Sequence, residues 1–223
     1  VDRRQRQMCI RDRSKEINND IEKTIPMMRL VQGDVGSGKT AVALLCATKV
    51  LDSGHQVAFM APTTLLAQQH LESIKNYFPS HKNEIALLTS GLRKKDRDEI
   101  IENIFSGRIK FLVGTHAVLQ NDVNFKSLAM VVIDEQHRFG VNQRLTLTRK
   151  SDDGFNAHQL TLTATPIPRT LSMSIYANMD VSVIDELPPG RLPIQTSMVA
   201  ISARDKLIKR VEKAIKKDSL VYW

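Results

Sequence analysis

From residue 25 onward the apolar positions follow two alternating periods. Short apolar runs at 29–32, 56–60, 85–89, 110–113, 129–134 and 159–163 read as strands. Between them, segments 39–51, 64–76, 94–105 and 167–177 carry apolar residues at helical spacing. The run from Ala129 to Ile133 is apolar at every position, as a strand buried on both faces must be. Strands and helices in this order predict an α/β fold, a parallel sheet covered by helices on both faces. Residues 187–193 hold three prolines and a glycine, which no helix or central strand continues through, so they are expected to be a linker. Beyond it, a strand at 194–201, a basic amphipathic helix at 204–217 and a strand from 220 are predicted. They read as the start of a second α/β unit. Residues 1–14 are rich in Arg and Gln, with neither helical stripe nor strand alternation, and are expected to be disordered or non-native.

Composition changes this picture little. The chain has 223 residues, 42% hydrophobic and 25% charged, which is ordinary for a globular protein. Two cysteines, Cys9 and Cys46, offer neither a disulfide framework nor metal-ligand spacing, and Cys46 falls within an apolar helical run as a buried thiol. No apolar stretch is long enough to span a bilayer and no signal-peptide pattern is present, so a cytoplasmic protein without membrane contact is expected. The net charge of +8 sits at the ends. Residues 1–15 hold six basic and two acidic side chains and residues 204–217 hold seven and two, while 16–203 are neutral overall. The charge therefore does not by itself mark a nucleic-acid-binding face.

Two motifs carry chemistry. Gly33, Asp34, Val35, Gly36, Ser37, Gly38, Lys39 and Thr40 form the pattern Gly-x4-Gly-Lys-Thr between a strand and a helix. Such a loop curls its backbone N–H groups around an anion at the positive end of a helix dipole. In that geometry Lys39 reaches the β- and γ-phosphates and the Thr40 hydroxyl ligates Mg²⁺. The second motif is Asp134, Glu135, Gln136 and His137 at the end of the apolar strand. On a parallel sheet downstream of a phosphate loop, Asp134 is the expected metal carboxylate and Glu135 the base that deprotonates the attacking water. Read alone, the pair is also compatible with two surface acids at a strand end.

Together these motifs resemble the paired signatures of superfamily 2 helicases and translocases. The stretch from Ala61 to His70 resembles motif Ia, Val113 to Ala117 motif Ib, and Thr163 to Thr170 motif III. The longer strings 33–40, 132–141 and 183–191 resemble the RecG family within that superfamily. The transcription-repair coupling translocases share much of the same region. The resemblance implies a RecA-like P-loop NTPase lobe over 15–186, the linker 187–193, and the truncated start of a second RecA-like lobe over 194–223. It implies ATP and Mg²⁺ as cofactors, with Gln136, His137, Thr163, Ala164 and Thr165 coupling hydrolysis to motion. It further implies that Thr63, Thr64, Thr115 and His116 meet DNA phosphates, independently of base sequence. Thr64 is equally readable as a helix cap and His116 as a loop histidine.

The partner implied is branched or double-stranded DNA, the process DNA repair and recombination, and the intact protein a monomer. ATP rather than GTP follows from resemblance only, because Arg3 to Arg13 stand where the family carries its adenine-reading stretch. The chain is thus expected to be a fragment. It lacks the wedge domain and the arginine fingers of the second lobe, and is expected to bind Mg-ATP weakly and to hydrolyse it negligibly alone. A nucleotide-gated DNA-binding module without turnover is the non-enzyme alternative, against which Glu135 argues.

Overall fold

The structure is a computed structural model that describes residues 3–135, 147–165, 179–185, 194 and 196–222. The chain divides into two compact units, Val1–Pro189 and Gly190–Trp223. The expected helix at 167–177 and the expected linker at 187–193 lie outside the described residues.

The first unit is built on seven parallel strands: β1 (Met28–Gly33), β2 (Gln56–Met60), β3 (Ile85–Leu88), β4 (Phe111–Gly114), β5 (Leu128–Asp134), β6 (His158–Thr163) and β7 (Asp180–Ile184). They lie in the order β3-β4-β2-β5-β6-β1-β7, and every pairing is parallel. Among the described residues, four helices belong to this unit: α1 (Arg3–Ile21), α2 (Lys39–Asp52), α3 (Thr64–Tyr77) and α4 (Lys94–Phe105). Two hydrophobic clusters show why both faces are apolar. One gathers Val31, Phe59, Val132 and Leu162 with Ile17, Val42, Cys46 and Ile74 from the helices. The other gathers Ala58, Leu112, Val131 and Ile133 with Ile104. Alternate residues of each strand thus feed opposite layers, which is why β2 and β4 are buried at every position. Cys46 is fully buried, and burial pushes its thiol up to about 12.

Three expectations are corrected. Residues 3–14 belong to a continuous helix, α1, rather than a structureless segment. Its inward stripe is the buried Ser14 and Ile17 with the half-buried Ile10 and Ile21, which straddles the boundary at residue 14. One position of that stripe is a serine, made compatible with burial by donating its hydroxyl to the Ile10 carbonyl at 2.8 Å. The stripe is therefore invisible when residues 1–13 are read alone. Second, β7 was not predicted, because Ser182 occupies one of its two buried positions and hides the alternation. Third, in the second unit the described residues between 194 and 200 and from 219 to 222 form no strand. Extended segments need a neighbour to pair their N–H and C=O groups, and none is present among the described residues. The helix α5 (Arg204–Ile215) does form, with no buried residue.

Candidate active site

In a parallel sheet all strands point the same way, so all their exits lie along one edge. Strands β5, β6 and β1 are adjacent, and from their ends leave Asp134 and Glu135, Thr163 to Thr165, and the loop from Gly33, respectively.

The loop 33–40 is held by hydrogen bonds within itself. The Ser37 N–H donates to the Asp34 carbonyl at 3.1 Å, and the Val35 N–H donates to Asp34 Oδ1 at 2.7 Å. Gly36 and Gly38 have φ of 78° and 109°, left-handed values that favour glycine. Gly38 stands at the N-cap of α2 without a side-chain cap, so the first N–H groups of that helix have no capping side chain. Gly33 permits close approach: a Cβ there would lie 2.6 Å from Ser37 Oγ and 3.1 Å from Ile184 Cβ. Ser37 is fully buried and its hydroxyl has no hydrogen-bond partner among the described residues, a group left over by their bonding.

Lys39 Nζ donates to the carbonyls of Gly33 at 2.7 Å and Asp34 at 2.9 Å. Burial lowers its pKa, while the carboxylates of Asp134, Glu135 and Asp34 pull the other way. The two acids from β5 therefore lie within electrostatic reach of the loop lysine. Glu135 has φ of 52°, a strained value for a non-glycine residue. Its N–H donates to the Leu162 carbonyl at 3.0 Å, which fixes this turn to β6. At the end of β6, Thr163 Oγ1 and Thr165 Oγ1 share a hydrogen bond of 2.9 Å, and the Thr165 N–H donates to Thr163 Oγ1 at 3.3 Å. Gln136 and His137 lie outside the described residues.

The loops after β2 and β4 form a second pair on the same edge. Met60 pairs with Gly114, and the Ala61 N–H donates to the Gly114 carbonyl at 2.9 Å. Thr63, not Thr64, caps α3: its hydroxyl accepts from the Leu66 N–H at 3.3 Å. Thr64 and His116 are exposed, whereas Thr115 is buried. One residue went unassigned in the sequence reading. His70 of α3 places Nε2 3.0 Å from Asp134 Oδ2. Its only signal in the sequence was its place at the end of the stretch resembling motif Ia.

Among the described residues, no group of three or more His, Cys, Asp and Glu side chains is arranged to hold a metal ion by itself. No described helix is long and apolar enough to cross a membrane.

The comparisons agree with this geometry. The chain is 50% identical over 210 residues to the ATP-dependent DNA helicase RecG of Haemophilus influenzae, covering 93% of this chain and 30% of that protein. It is 47% identical over 208 residues to RecG of Bacillus subtilis, again covering 93% and 30%. The chain thus spans under a third of the length of these relatives. A solved structure of RecG bound to a three-way DNA junction superposes with a TM-score of 0.77 at 36% identity, over 94% of this chain and 28% of that one. The helicase domain of Pyrococcus furiosus Hef shares the fold, with a TM-score of 0.61 at 21% identity over 92% and 46%. The family model for the DEAD/DEAH box helicases matches residues 15–174, which implies nucleotide use, and the chain belongs to that family.

Proposed function

We propose that this chain supplies the nucleotide-binding lobe of an ATP-dependent DNA helicase of RecG type, which couples ATP hydrolysis to remodelling of branched DNA. The observation that carries the reading is that the phosphate loop, the acid pair and the threonine pair leave three adjacent strands of one parallel sheet at the same edge. The relative solved on a three-way DNA junction supports branched DNA as the substrate class.

In this reading the backbone N–H groups of 33–40 and the start of α2 hold the phosphates. Lys39 exchanges the Gly33 and Asp34 carbonyls for phosphate oxygens, and the buried Ser37 hydroxyl gains a partner within the same loop. Thr40 and Asp134 supply the hard oxygen donors that suit Mg²⁺. A site built from few side chains fits an ion that keeps waters and phosphate oxygens as ligands. When bound, the cation would offset charge on the phosphates. Glu135 takes the proton of the attacking water. The hydroxyls of Thr163 and Thr165, joined across one turn, relay the state of the site along the strand edge, with Ala164 between them. The adjoining loops bearing Thr63, Thr64, Thr115 and His116 face the DNA backbone; Thr64 and His116 offer exposed side chains, and Thr63 and Thr115 contribute chiefly by shaping the loops.

Phosphate release stimulated by branched DNA, measured in a full-length protein that carries this chain, tests the reading. Lys39→Ala is expected to lower it by about 10²–10³-fold while leaving DNA binding within twofold. Release that survives the substitution unchanged would refute the proposal.

A further inference from the structure

His70 is fixed from three sides. Its ring packs on Phe59, with centroids 4.6 Å apart, and Phe59 is fully buried in the strand next to β5. Its helix is anchored by the buried Ala67 and Ile74. Its Nε2–H donates to Asp134 Oδ2 at 3.0 Å, with the two side chains 15% and 16% exposed. A hydrogen bond to a carboxylate in so sheltered a place is stronger than one in water. It holds one oxygen of Asp134 and thereby sets the rotation of the carboxylate plane, leaving Oδ1 for another partner.

We infer that His70 is the positioning residue of Asp134: it holds the carboxylate in the orientation from which it receives the divalent cation that accompanies a nucleotide. The inference rests on the nucleotide-site reading above. A group that orients a metal-binding side chain typically changes metal affinity by ~10–100-fold when removed, so its effect is confined to cation-dependent binding. Phosphate contacts made by the loop 33–40 do not pass through it.

The test measures affinity for a fluorescent ADP analogue in Mg²⁺ and in EDTA, for the unmodified protein, His70→Ala, His70→Gln and Lys39→Ala, with melting temperatures alongside. His70→Ala is expected to weaken binding in Mg²⁺ about tenfold and to leave binding in EDTA within twofold. His70→Gln, whose side-chain amide can donate from the place of Nε2, is expected to recover most of the loss. Equal affinities for His70→Ala and the unmodified protein in Mg²⁺ would overturn the inference. So would equal losses in Mg²⁺ and EDTA, which mark a structural role. In both cases a loss in Lys39→Ala keeps the nucleotide site itself. If the unmodified protein does not bind the analogue, or Lys39→Ala binds it equally well, the nucleotide reading falls and the inference with it.

Discussion

The two ends of the parallel sheet are built in opposite ways. At the end where the strands begin, most polar groups bond one another, though Gln159 Oε1 of β6 and Asn18 Oδ1 of α1 are buried without a hydrogen-bond partner among the described residues. Arg29 of β1 donates to Asp20 of α1 at 2.5 and 3.0 Å and to Ser182 of β7 at 2.8 Å. Ser182 in turn donates to Glu16 at 2.8 Å. His158 accepts the Met27 N–H at 3.0 Å, and Gln56 donates to the carbonyls of Ile104 and Ile109. At the end where the strands exit, among the described residues Ser37 is buried without a hydrogen-bond partner, Lys39 bonds only the carbonyls of its own loop, and Glu135 is strained. One end spends its polar groups on holding the fold together; the other keeps them poised for a ligand. Stability and chemistry are thus separable along a single set of strands.

The comparison is broken if substitutions at the exit end cost stability or those at the opposite end cost chemistry. Glu135→Gln is expected to lower nucleotide turnover of the full-length protein by ~10²–10⁴-fold, with the melting temperature unchanged, because the backbone strain at φ 52° stays in place. Arg29→Ala does the reverse. It removes the two guanidinium hydrogen bonds to Asp20, whose side chain is 10% exposed and keeps only Lys23 at 2.6 Å among the described residues, and is expected to cost about 1.5–3 kcal/mol in chemical denaturation. Nucleotide affinity of the folded fraction should stay within twofold. A loss of affinity in Arg29→Ala greater than its loss of stability explains would show that the two ends are coupled.

Smaller effects sharpen the contrast within the exit edge. Thr63→Ala removes the cap of α3 and is expected to lose about 0.5–2 kcal/mol. Thr64→Ala, at an exposed position, is expected to change stability by less than ~0.5 kcal/mol while lowering affinity for branched DNA. The reverse order in denaturation would remove Thr63 from its capping role.

The smallest effect is a pH dependence at the opposite end. Burial lowers the pKa of His158, with Asp20 acting in the other direction, so the folded state favours the neutral ring that accepts from Met27. Stability from this group is full above the ordinary histidine value of about 6.5 and is lost as pH falls below it toward the depressed folded value, because the unfolded chain takes up the proton first. Melting temperatures between pH 7.5 and pH 5.5 should therefore fall less steeply in His158→Gln. At roughly 2–4 °C per kcal/mol for a chain of this size, the difference is measurable by calorimetry.

Several of these features were legible in the sequence and others were not, for physical reasons. The loop 33–40 was legible because its chemistry is contiguous: eight neighbouring residues supply the turn, the lysine and the hydroxyl. Strands β2 and β5 were legible because burial on both faces demands an uninterrupted apolar run. Strand β7 and helix α1 were missed because each places a serine, Ser182 or Ser14, in a buried slot where a pattern of apolar residues is sought. The extended segments expected after residue 193 are not strands among the described residues, because apolar alternation states a preference that only a neighbouring strand can realise.

By itself the sequence determined strands β1 to β6 and helices α2 to α4, and that a phosphate loop precedes an acid pair, because period and backbone chemistry are local properties. The tertiary structure alone decided the strand order that brings β5, β6 and β1 side by side, the bond from His70 to Asp134 across 64 positions, and the bond from Arg29 to Ser182 across 153. A periodic pattern fixes which face of an element is buried. It carries no information about which other element will cover that face, and that choice places the chemistry.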